Sequence, residues 1–134
     1  MDRAAFIERL RRVEDEFDAT ETSARNACFQ FSELESKHGI APAFVCATCD
    51  EFSATLENLR QRMQQQVARA QELGRSFDWP DLARSADGLA KRLDSHQVVI
   101  DREIDASLEW IRAVRKRGEA EAAKANTGAI HERC

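Results

Sequence analysis

Cys46-Ala47-Thr48-Cys49 carries the spacing with the most chemical meaning, because two thiols one helical turn apart can share a metal ion or cycle through a disulfide. A structural zinc needs four ligands at about 2.0 to 2.3 Å, and His38 is the natural third. A fourth would have to come from Cys134, Asp50 or another chain. Redox chemistry has electrostatic support: the pair opens a helix, and Lys37, Arg112, Arg115, Lys116 and Arg117 can come close, both of which favour thiolate. Against both stands the apolar spacing, which puts Cys49 on a core seam facing Leu34, and free cysteine is among the most buried residue types. Packing is the expected role of the pair, and Cys28 lies about 13 Å further along the hairpin, outside any shared site.

Other polar positions point to structure. The order Trp79-Pro80-Asp81 resembles the acid-bearing loop of protein tyrosine phosphatases, but neither Cys46 nor Cys49 is followed by the phosphate loop ending in arginine that this chemistry needs. The triplet reads as an apolar anchor and a helix start. His96 falls on the apolar side of its helix and is expected to be a satisfied core or boundary histidine. The run Arg112-Ala113-Val114-Arg115-Lys116-Arg117 suits a helix C-terminus through the macrodipole and, with Trp110, can equally dock an acidic partner. No nucleophile-base-acid set, phosphate-binding glycine loop or dinucleotide fingerprint occurs, so the chain is expected not to be an enzyme.

Long helices must position these residues. From Phe6, alternating steps of four and three meet Leu10, Val13, Phe17, Thr20, Ala24, Ala27, Phe31, Leu34 and His38, a heptad seam with charges on the other faces. The small residues Thr20, Ala24 and Ala27 favour close helix approach over an open groove. Gly39 and Pro42 stop this helix and start the next. The second seam reads Val45, Cys49, Phe52, Leu56, Leu59, Met63, Gln66, Ala70 and Leu73, closed by Gly74. A third runs from Leu82 through Ala86, Leu89, Leu93, His96 or Gln97, Ile100, Ile104, Leu108 and Ile111 to Val114, with a slip after Leu93.

The spacing predicts an all-α, elongated, antiparallel (up-down-up), coiled-coil-like three-helix bundle with helices near 2–37, 42–74 and 80–118. A single domain over 1–118 is expected, followed by a helical extension and frayed tail over 119–134. The expected levels pair Phe31 with Phe52 and Ala24 with Leu59 across the first turn. Across the second they pair Leu73 with Leu82, Gln66 with Leu89, Leu59 with His96 and Val45 with Ile111.

Composition narrows the function classes. At 134 residues with a formal charge of −4, the chain lacks the basic balance of a general phosphate-backbone binder. It has no apolar leader or run of about 18 apolar residues, so no membrane is expected and the location is expected to be cytoplasmic, with reduced thiols and no cofactor. The function expected is a non-catalytic protein–protein interaction module, such as an adaptor, regulator, chaperone-like protein or inhibitor, acting through a helical surface. Trp110, Arg112, Arg115, Lys116 and Arg117 are its candidate contacts. The alternative is a thiol-redox or metal sensor using Cys46 and Cys49. The partner is another protein, with homodimerisation suggested by the apolar candidates Phe29, Phe44, Val98, Val99 and Trp110 outside the seams.

Overall fold

The computed structural model describes residues 1–38 and 42–125, with side chains throughout except at His38, residues 42–46, Ala122 and Ala125. The described residues form three helices: α1 (Arg3–His38), α2 (Pro42–Gly74) and α3 (Pro80–Ala125). The lengths are 36, 33 and 46 residues, hence about 50 to 70 Å each at 1.5 Å per residue.

Helix ends follow local chemistry. The Asp2 carboxylate accepts a hydrogen bond from the Ala5 amide at 2.7 Å, an N-cap that satisfies one of the orphan donors of α1. Trp79 precedes Pro80, and its carbonyl accepts the Ala83 amide at 2.8 Å to open α3. Gly74 ends α2 for a packing reason: a Cβ there would lie 3.2 Å from the backbone nitrogen of Asp87, so glycine permits the close approach of α2 to α3. At its other end α3 continues past 118 through the expected helical extension as far as Ala125. The run Glu119-Ala120-Glu121-Ala122-Ala123-Lys124 is made of strong helix formers, and Arg115 reaches Glu119 one turn on at 3.6 Å.

The expected seams form the core. Val13, Phe17, Ala24, Ala27 and Phe31 of α1 are buried in one cluster with Cys49, Leu56, Leu59 and Met63 of α2 and the isoleucines of α3. Thr20, Ala24 and Ala27 are themselves buried, which is close packing and not an open groove. Val67, Ala83 and Ala90 join from positions flanking the seams. In the slip after Leu93 it is Gln97 that is buried, while His96 is exposed and faces Glu21 at 3.5 Å. Of the two alternatives at this step the structure selects Gln97 for the seam, and His96 is an exposed residue instead of the core or boundary histidine expected.

Contacts fix the levels. Along α1 and α2 they run in opposite order: Glu16 meets Arg69, Thr20 meets Gln66 and Phe31 meets Phe52. Along α1 and α3 they run in the same order, through Glu14 with Arg92, Arg25 with Glu103 and Glu35 with Arg117. The α1 to α2 levels are as expected, but α3 is displaced. Arg60 meets Asp101 and Asp105, Asp50 meets Arg115, and Gly74 approaches Asp87. This is a slide of about one heptad relative to the expected pairing of Leu59 with His96 and Leu73 with Leu82. The expected pairing of Val45 with Ile111 lies outside the described side chains. Because of the slide, the first turns of α3 project past Gly74, and Leu82 and Ala86 pack with Phe6 in a small separate core.

Candidate protein interaction surface

The end of α3 holds the residues singled out for partner binding. Trp110 is 41% exposed. Its ring meets the buried Phe31 edge-on, centroids 6.3 Å apart and planes at 90°, and Phe31 in turn meets Phe52 at 5.4 Å. Phe31 of α1, itself backed by Phe52 of α2, thus braces Trp110 while much of the indole stays exposed, the arrangement of a preorganised anchor.

The cations around it divide into two kinds. Arg115 is held by Asp50 at 3.0 Å and Glu119 at 3.6 Å, and Arg117 by Glu35 at 3.2 Å. These two tie α3 to α2 and to α1. Arg112 and Lys116 are exposed and have no ion-pair partner among the described residues. The expected set of Trp110, Arg112, Arg115, Lys116 and Arg117 is therefore brought to one end, but only Trp110, Arg112 and Lys116 are unspent.

Cys49 is 1% exposed in the central core. Burial pushes its thiol pKa up, and the nearby Arg115 opposes this only in part. The thiolate-favouring effect expected of the arginine end is outweighed by desolvation, and Cys49 is a packing residue. Cys28 is half-buried on α1. Among the described residues no three His, Cys, Asp or Glu side chains gather as metal ligands. The candidates His38 and Cys46 lie outside the described side chains.

Two polar assemblies were not legible in the sequence. Thr20, buried in α1, donates to the Glu16 carbonyl at 2.8 Å and accepts from Gln66 Nε2 of α2 at 3.0 Å. Gln97 is buried on α3 one residue from the His96 that meets Glu21, so the three helices share a polar layer at this level. Thr20, Gln66 and the His96 or Gln97 step stand out in the sequence as interruptions of the seams, but only the register brings them together. At the far end, Arg3 grips Asp81 with two hydrogen bonds of 3.1 and 2.6 Å and lies 5.6 Å over the Trp79 ring. That clasp holds the Asp81 pKa down to about 2. The pair is 78 residues apart in the chain, and no local pattern announces it.

A groove of about 460 Å³ opens between α1 and α2, lined by Arg9, Arg12, Val13, Glu16, Arg69 and Leu73 among others. Its arginines share it with carboxylates, and Arg69 is already paired with Glu16 at 3.2 Å. Among the described residues no helix is long and apolar enough to cross a membrane.

No protein-family model, curated protein or solved structure matches the chain.

Proposed function

We propose that the chain is a non-catalytic protein–protein interaction module that engages another protein through the solvent side of α3. The observation that carries this is Trp110: a large amphipathic side chain left half free at one end of the rod, braced by Phe31, with the uncommitted cations Arg112 and Lys116 nearby. Tryptophan and arginine are enriched among the residues that dominate binding energy at interfaces, tryptophan because a rigid ring offers much contact area for little rotamer entropy and arginine because its guanidinium carries five donors. An acidic rim around an apolar pocket is the surface they would complement. An adaptor, regulator or inhibitor acting in the cytoplasm fits this reading. The alternative, thiol-redox or metal sensing through Cys46 and Cys49, is weakened by the burial of Cys49 and its raised pKa.

The test is recovery of partners from the native lysate by the full chain, compared with Trp110→Ala, Arg112→Glu/Lys116→Glu, and Phe77→Ala as an exposed apolar control remote from the site. Loss of the same protein with the first two variants and its retention with the third is expected. Equal recovery by all of them would overturn the assignment.

A further inference from the structure

The core seam is not the only heptad pattern on α3. Val99, Arg102, Ala106, Glu109, Ala113 and Lys116 follow steps of three and four, and every one of them is exposed. Residues at that spacing share one stripe of a helix, so α3 carries a second seam that faces away from α1 and α2. Small residues recur every seven positions at Ala106 and Ala113, alternating with the long charged side chains Arg102 and Glu109. Arg102 and Glu109 carry opposite charges along this stripe and have no ion-pair partner among the described residues.

We infer that this outward seam docks a second copy of the same chain, the two α3 helices running antiparallel about a two-fold axis near Ala106 to Glu109. This rests on the reading of the solvent side of α3 as the docking face. In that register Glu109 lies level with Ala106 of the partner subunit, and Arg102 lies level with Ala113 of the partner subunit. Each long side chain crosses a small one, which lets the helices approach closely. Arg102 then sits about one turn from Glu109 of the partner subunit, within reach of its carboxylate, and the symmetry makes the same pair twice. A parallel pairing would instead stack Arg102 on its own copy and Glu109 on its own copy, which like-charge repulsion disfavours. Val99 meets the aliphatic stem of Lys116 of the partner subunit. Trp110 flanks the seam and is partly covered.

The experiment is sedimentation equilibrium of the full chain with Arg102→Glu, Glu109→Arg and the double exchange, each checked for unchanged helix content. The wild type is expected to weigh twice the 15.2 kDa of one chain. Each single reversal should weaken association by about tenfold or more, and the double exchange should restore it. A wild type that stays at the mass of one chain, or a double exchange no better than the singles, overturns the inference. The failures are separable. A monomeric wild type that still captures a protein in a Trp110-dependent way removes the second copy and leaves the interaction reading. A dimer showing the exchange pattern, with no such capture, does the reverse.

Discussion

Gly88 and Gly74 show how the same residue type takes opposite roles. Gly88 lies inside α3 with nothing within 4 Å of where a Cβ would stand. Gly88→Ala should raise stability by about 0.5 to 1 kcal/mol, since alanine has less backbone entropy to lose. Gly74→Ala would press a methyl against the Asp87 backbone, which cannot turn aside, and should cost about 1 kcal/mol or more. Chemical denaturation of the two variants checks both signs. Asp81 gives a pH prediction: its folded pKa is about 2, below the ordinary 3.8, because Arg3 donates to the carboxylate. A depressed carboxylate adds stability that is present above the ordinary value and is lost as pH falls from about 4 towards 2. NMR titration should place the Asp81 midpoint near 2 and return it towards 3.8 in Arg3→Ala. Cys49 should be the last of the mapped thiols to alkylate, reacting only on unfolding, because burial both shields it and keeps it protonated.

At the scale of the element, the buried Thr20 and Gln66 pair is the least expected feature of two otherwise apolar seams. Gln66 Oε1 has no hydrogen-bond partner and is buried, so the layer is incompletely satisfied. Thr20→Val should destabilise by about 1 to 3 kcal/mol, since it leaves the Gln66 amide unpaired as well. The double variant Thr20→Val/Gln66→Leu should recover most of that loss, because no buried polar group is then orphaned. A double-mutant cycle by thermal unfolding measures the coupling. If the double variant were as unstable as the sum of the singles, the layer would not be a coupled unit. The helices themselves were legible residue by residue: the apolar spacing found Phe6 to Phe31, Leu56 to Ala70 and Leu82 to Val114 because a helix repeats its face every 3.6 residues. The last turns of α3 were legible from a different signal: Glu119 to Lys124 lack an apolar stripe, and the propensity of alanine, glutamate and lysine alone carries the helix to Ala125.

The whole molecule is a rod with unequal ends. Near Phe6, α1 and the projecting start of α3 pack together with α2 contributing its last-turn Leu73, and Leu82, Ala86 and the Arg3, Trp79 and Asp81 clasp hold them. Amides of the second and third turns of α1 should therefore exchange by local opening at lower free energy than those near Phe17 and Ile100, where three helices surround the core. Hydrogen exchange read residue by residue would show this gradient, and Trp79→Ala should steepen it. The exposed ion pairs between helices add little to that stability, since each is worth about 0 to 1 kcal/mol, but they discriminate between alignments.

That distinction separates what the amino-acid order determined from what the tertiary structure decided. Helix number, helix extents and the faces turned inward follow from local periodicity and from end signals at Asp2, Gly39, Pro42, Gly74 and Pro80. The level of α3 does not follow, because a seam that repeats every seven residues looks the same after sliding by seven, and the apolar pattern alone accepts both positions. Features without that repeat select one of them: the approach of Gly74 to Asp87, the reach of Arg60 to Asp101 and Asp105, and the clasp of Arg3 on Asp81. The same choice pairs Arg115 and Arg117 within the bundle, leaving Trp110, Arg112 and Lys116 free, and only three-dimensional packing can make it.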